Sequence, residues 1–244
     1  MDTTKSVVAA ALALAALPSL AQGLTVVNEP WTGEQSHADM LSSVLGGTFT
    51  STGTVSGFNV ATSGTGDVDV GLSNGSFTAM RVGDAAGSAA QLFSIGNAES
   101  DNVFGAGSYR AQIIGQNSSL DHEFGVVGQN GAFRSLLEGS STESSMYHPG
   151  EEFTWAIRTS LGDQYSSDAS QNDGRDHMVT YAIYDSNNNL FGAVLFFEDW
   201  GGQSSDWDYN DIGVLLTLAP TPNAALLGLA GLGGLGVVTG RRRR

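Results

Sequence analysis

Met178-Val179-Thr180-Tyr181-Ala182-Ile183-Tyr184 runs into Asp185-Ser186-Asn187-Asn188-Asn189, and Phe191-Gly192-Ala193-Val194-Leu195-Phe196-Phe197 follows at once. Seven or so apolar, aromatic and β-branched residues on each side of a turn-forming Asp/Asn cluster predict two strands joined by a hairpin. Runs of this kind recur at Tyr109–Ile114, Glu123–Val127, Phe153–Ile157 and Ile212–Leu218, with Asn130-Gly131 as a further turn. Helical periodicity is almost absent, with one short helix predicted around Ser36–Val44. The expectation is therefore an all-β protein, a β-sandwich of jelly-roll or immunoglobulin-like type.

Upstream, from Gly46 to Gly96, the chain is rich in Gly, Ser and Thr and nearly uncharged. Alternation in Thr48-Phe49-Thr50 and Val68-Asp69-Val70, the Asn74-Gly75 turn, and apolar anchors such as Phe49, Phe58 and Phe77 predict short strands rather than a linker. The reading divides the exported part into a Gly/Ser/Thr-rich β region, 22–102, and a sandwich domain, 103–219.

Both ends differ from the middle. Lys5, the apolar stretch Val7–Leu17, Pro18, and small residues at Ser19 and Ala21 predict a signal peptide over 1–21. At the other end Ala224–Val238 contains only Ala, Leu, Gly and Val, and Thr239-Gly240 leads into Arg241, Arg242, Arg243 and Arg244. Asn223–Gly240 would span about 27 Å as a helix, just enough for the ~30 Å hydrocarbon core of a bilayer, with the arginines on the cytoplasmic side. A single transmembrane helix is expected there.

A proline motif, a Gly/Leu-rich span and a terminal arginine cluster together resemble the PEP-CTERM sorting signal, here over 220–244. The resemblance implies recognition by an exosortase, a membrane sorting enzyme, at the inner membrane. It also implies association with exopolysaccharide and biofilm at the cell surface or in the extracellular matrix. Pro220-Thr221-Pro222 departs from the usual Pro-Glu-Pro of that signal.

Without Asp2, Lys5 and the four terminal arginines, the exported region carries 24 acidic and 5 basic residues, a net of −19, with no lysine. Such a surface repels phosphate backbones and excludes a nucleic-acid partner, while it attracts divalent cations. Cysteine is absent, so no disulfide stabilises the exported domain.

One segment concentrates that charge. Between two apolar runs, Glu198-Asp199-Trp200-Gly201-Gly202-Gln203-Ser204-Ser205-Asp206-Trp207-Asp208-Tyr209-Asn210-Asp211 packs five carboxylates and an Asn into 14 residues. Carboxylates this close repel unless a cation sits among them, and Ca²⁺ takes six to eight oxygens. In an extended chain Asp206, Asp208 and Asn210 share one face and Trp207, Tyr209 and Asp211 the other. An EF-hand is excluded: Asp211 stands where Gly is needed and Thr217 where Glu is needed. A second acidic loop, with Asp168, Asn172, Asp173 and Asp176, is expected to meet the first. The predicted Ca²⁺ ligands are Glu198, Asp199, Asp206, Asp208, Asn210 and Asp211, joined by Asp173 and Asp176.

The phrases Asn172-Asp173-Gly174-Arg175-Asp176-His177…Tyr181, Phe197-Glu198-Asp199-Trp200 and Asp206-Trp207-Asp208-Tyr209-Asn210-Asp211 look like a family of uncharacterised exported bacterial domains. These accompany PEP-CTERM tails and lend an expectation of β-rich fold and location, not of chemistry.

Three functions compete on these residues. The first is a noncatalytic surface or matrix module binding Ca²⁺ through its acidic loops. The second is a carbohydrate-binding module stacking sugar on Trp200 or Trp207. The third is a glycoside hydrolase with Glu198 and Asp208 as its carboxylate pair. His37, His122, His148 and His177 are scattered without zinc spacing, and no nucleophile elbow or phosphate loop is present, so no catalytic residue is assigned.

Overall fold

A computed structural model of the chain describes residues 24–59, 62–83, 89–90, 101, 103–105, 107–172, 174–201 and 205–218. The expected signal peptide and sorting tail, including Pro220, Thr221, Pro222 and Arg241–Arg244, and Asp173 of the second acidic loop, lie outside the described residues. Among the described residues no helix is long and apolar enough to cross a membrane.

Among the described residues the chain is all-β apart from one α-helix and a 3₁₀ turn. Helix α1 (His37–Leu45) precedes β1 (Thr50–Asn59), β2 (Gly64–Ser73), β3 (Phe77–Arg81), β4 (Ala89–Ala90), β5 (Val103–Phe104), β6 (Tyr109–Gln116) and β7 (His122–Gly128). Then come β8 (Phe133–Glu138), β9 (Ser144–Tyr147), β10 (Phe153–Thr159), β11 (Gln164–Ser166), β12 (Met178–Asp185), β13 (Leu190–Phe197) and β14 (Ile212–Leu218). Eight strands form one sheet in the order β1-β2-β3-β12-β13-β14-β6-β9. A second sheet runs β4-β5-β10-β7-β8, with β11 on β10, and every pair is antiparallel except β4–β5.

The β12–β13 hairpin is the centre of the large sheet, in register from Met178↔Phe197 to Ile183↔Gly192. Its near-continuous apolar sequence follows from burial on both faces. Met178, Ala182, Ala193, Leu195 and Phe197 face the second sheet, in the core that holds Phe124, Trp155 and Phe104. Phe124 lies across the interface from Phe197, ring centroids 6.1 Å apart, and stacks on Trp155 at 5.1 Å. The alternate residues Val179, Tyr181, Ile183, Val194 and Phe196 enter a second core on the opposite face, covered by Met40 and Leu41 of α1 and by Phe49, Trp207 and Tyr209. Gly192 is required at the β13–β14 crossing, because a Cβ there would lie 2.3 Å from the Leu216 carbonyl oxygen.

Helix α1 starts where Ser36 caps it: the Asp39 amide donates to Ser36 Oγ at 3.2 Å, and the Ser36 amide donates back to Asp39 Oδ2 at 3.1 Å. Strand β3 pairs with β12, Tyr181 opposite Arg81, so the strands of 22–102 and of 103–219 continue one sheet. The predicted turns form as expected. Asn74 Oδ1 accepts from the amides of Ser76 (2.9 Å) and Phe77 (2.7 Å), with Gly75 at φ +83°. At the start of the described chain, the Val26 amide donates to Phe58 O (2.7 Å) and the Phe58 amide to Leu24 O (2.8 Å), a short parallel bridge on β1.

Candidate metal centre

The acidic string is the connection between β13 and β14. Glu198 prolongs the β12–β13 ladder, its amide donating to His177 O at 3.0 Å. The chain then leaves the sheet and re-enters at Ile212. Its conformation is not the extended row expected from sequence. Trp207 and Tyr209 sit at φ +57° and +56°, a left-handed conformation that costs a non-glycine residue about 1–2 kcal/mol. What holds them there is burial: both rings are in the second core, Trp207 with 1 % of its surface exposed, and a ring of that size gains roughly 2–3 kcal/mol on burial. Neighbours fix the backbone as well. Asn28 N donates to Trp207 O (3.0 Å), Asn117 N to Asp211 O (3.1 Å), Asn117 Nδ2 to Asn210 O (3.2 Å), and Tyr209 Oη to Asp176 O (3.1 Å). His37 Nε2 lies 2.9 Å from Tyr209 O, and the imidazole stacks on Phe196 at 3.8 Å.

This shape divides the predicted ligands into two groups. In the first, carboxylate oxygens of Glu198, Asp199 and Asp211 all lie within 4.8 Å of one another. Protein donors occupy one side of the group. Asp199 Oδ2 accepts from His122 Nε2 (2.7 Å) and from Ser118 Oγ, and Asp211 Oδ2 accepts from the Asp199 amide (2.7 Å). Glu198 is 1 % exposed, and its Oε2 has no hydrogen-bond partner among the described residues. Burial, reinforced by the facing carboxylates, raises the proton affinity of Glu198 and Asp211 far above the ordinary carboxylate range. Burial also works to raise Asp199, but the hydrogen bonds from His122 and Ser118 outweigh it and hold that group low.

The second group joins Asp206 and Asp208 to Glu34, again with carboxylate oxygens within 4.8 Å of one another. Asp208 is 2 % exposed; Oδ1 accepts from the Asn210 amide (3.1 Å), and buried Oδ2 has no partner among the described residues. Burial, with the charge of Asp206 beside it, pushes the Asp208 carboxyl up to about 7.

The remaining predicted ligands lie elsewhere. Asn210 is buried, and its Nδ2, a donor, has no partner among the described residues. Asp176 adjoins the connection through Tyr209, but its carboxylate accepts from Thr25 Oγ1 (2.9 Å) and the Met178 amide (3.1 Å) and belongs to neither group. Asn172 folds onto its own loop, donating to Ser166 O and accepting from Ser166 N (2.8 Å), and Asp168 caps the 3₁₀ turn Ala169–Gln171. The second acidic loop is thus organised by its own turns. Trp207, offered above as a sugar platform, is enclosed in the core; Trp200 is 45 % exposed.

Sequence reasoning missed Glu34, His122 and Ser118. Each stands far from the acidic string in the chain, and nothing around it marks it as a partner.

An all-oxygen set of clustered carboxylates suits a hard cation such as Ca²⁺, Mg²⁺ or Mn²⁺ and not zinc, which prefers nitrogen and sulfur. The two groups are close enough to hold an ion each. Compared with protein-family models, curated proteins and solved structures, the chain has no significant match in any of the three.

Proposed function

We propose that the chain is an exported, noncatalytic module of the cell surface or extracellular matrix that binds Ca²⁺ through its β13–β14 connection. The observation that carries this reading is the Glu198–Asp199–Asp211 group. A carboxylate that is 1 % exposed, with one oxygen unpartnered and two carboxylates facing it, is far more stable beside a cation than bare. Ca²⁺ is favoured over Mg²⁺ because it accepts irregular oxygen geometry, whereas Mg²⁺ demands a near-ideal octahedron. With no disulfide available, the ion supplies a cross-link between the ends of two central strands. We assign the two-sheet fold to the jelly-roll or immunoglobulin-like sandwiches. The tail 220–244 is assigned to exosortase-type sorting at the inner membrane, with exopolysaccharide or biofilm as the destination, on the resemblance described above.

Calorimetric titration of the purified full chain in mild detergent with CaCl₂, against MgCl₂, tests the central claim. Saturable heat with Ca²⁺, of which Glu198→Gln removes one equivalent, supports it, and no heat in the parent protein refutes it. A carbohydrate-binding role is the second reading, and exposed Trp200 next to Asp199 favours it. A glycan array on the calcium-loaded protein and its Trp200→Ala variant decides that question. The hydrolase reading has less support, since Glu198 and Asp208, 1 % and 2 % exposed, offer almost no surface to a sugar.

A further inference from the structure

We infer that the chain holds a second divalent cation, on Glu34, Asp206 and Asp208, and that this ion fastens the segment 24–35 to the β13–β14 connection. The inference rests on the calcium reading above and adds a separate position with a ligand from another part of the chain.

Glu34 is 172 positions before Asp206, yet its carboxylate is delivered to the connection by a tight turn. The Glu34 amide donates to Trp31 O (3.0 Å), the Trp31 amide donates to Glu34 Oε2 (3.0 Å), and Gly33 takes φ +102° between them. One Glu34 oxygen is thereby held by the turn, which fixes the carboxylate beside Asp206 and Asp208. Asp208 independently points to a cation: it is almost wholly buried, and Oδ2 has no donor among the described residues. Two carboxylates brought to a buried third need a positive charge among them. Arg175, the cation of the neighbouring loop, lies over the Trp207 ring at 5.7 Å.

The surroundings match a cross-link. Segment 24–35 already lies on the connection through Asn28, whose backbone amide donates to Trp207 O and whose side chain donates to Asp206 O. Asn117 bridges the same two pieces, donating to Gln35 O (2.9 Å) and Asn210 O. Glu34 and Asp206 are half-buried, so water can complete the coordination that three carboxylates leave short of the six to eight oxygens of Ca²⁺.

The test is calcium stoichiometry of the full chain, by calorimetry with CaCl₂ alone, for the parent, Glu34→Gln and Glu198→Gln proteins. The expected result is two equivalents in the parent and one in Glu34→Gln, with the affinity of the remaining site within about threefold of its parent value. Limited proteolysis should then cut segment 24–35 at least tenfold faster in Glu34→Gln with calcium present, while its melting temperature in chelator is no lower than that of the parent. One equivalent in the parent, unaltered by Glu34→Gln and lost in Glu198→Gln, overturns this inference and leaves the proposed function standing. One equivalent lost in Glu34→Gln and kept in Glu198→Gln retains this site and overturns the proposed one. No binding in the parent overturns both.

Discussion

His122 Nε2 lies 2.7 Å from Asp199 Oδ2, and with both side chains nearly solvent-free this contact ties β7 of the small sheet to the acidic connection of the large one. Hydrogen bonds to a buried carboxylate contribute more than neutral ones. His122→Ala should therefore cost about 2–3 kcal/mol, or roughly 4–12 °C in a domain of this size. Thermal unfolding followed by circular dichroism measures it, and an unchanged melting temperature would show that Ser118 alone satisfies Asp199.

Calcium should stabilise the fold through the Glu198 group. At a free concentration 100 times the dissociation constant the gain is about 2.7 kcal/mol, so chelation should lower the melting temperature by several degrees. Glu198→Gln should have opposite effects in the two conditions. Removing a buried charge that faces Asp199 and Asp211 makes the chelated protein more stable than the parent. It also removes the part of the calcium increment that the Glu198 group supplies. Melting curves of both proteins in calcium and in EDTA give the four numbers needed.

Acid should reveal His37. Burial, with Arg81 adding to it, drives its imidazole down to about 3, from an ordinary value near 6.5. A depressed histidine means that the fold binds the neutral form, so its contribution is intact above pH 6.5 and is lost as pH falls towards 3. By pH 5 the loss is about 2 kcal/mol. Asp208, raised to about 7, works the other way in chelator: its contribution is complete below the ordinary value of 3.8 and is lost as pH rises to 7. Comparing melting temperatures of His37→Gln and parent between pH 7.5 and 5 in EDTA isolates the histidine, and parallel curves would contradict the assignment.

Gly192 and Gly131 offer a paired test of the sheet. Gly192→Ala drives a Cβ against the Leu216 carbonyl and should cost about 3 kcal/mol or prevent folding. Gly131→Ala meets open space and pays only for its positive φ, about 1 kcal/mol. Equal melting temperatures for the two variants would argue against the β13–β14 register.

Export has its own readouts. Mass spectrometry of protein from its host should find Gln22 as the mature N-terminus, and a chain retaining Lys5 would contradict the cleavage. Neutral replacements at Arg241–Arg244 should release protein into the medium, as fractionation would show, because the arginines oppose translocation.

Strand positions were legible because they depend on local chemistry. The run Met178–Phe197, its Asn-rich turn and the cap at Ser36 each declare themselves within a few residues, and the helix expected at Ser36–Val44 forms at His37–Leu45. The acidic connection was legible in composition and illegible in shape. Its alternation of acid and ring suggested a flat row, but core burial of Trp207 and Tyr209 imposes two left-handed residues and splits the carboxylates. Glu34 and His122 were hidden for a different reason. Sheet order brings them to the site, and no local pattern encodes which distant strand or turn a chain will meet.

The short bridge from Leu24–Val26 to Phe58 bears on how copies of this protein behave towards each other. Strand β1 is outermost in its sheet, and its exposed stretch is Gly-, Ser- and Thr-rich, without a lysine or proline to discourage pairing with another chain. The bridge covers it near Gly57, where a Cβ would lie 2.4 Å from Leu24 O. The covering residues belong to the segment that Glu34 would pin down. Withdrawing calcium would therefore bare an unpaired strand edge, and self-association, kept low by the ion, would rise as the ion leaves.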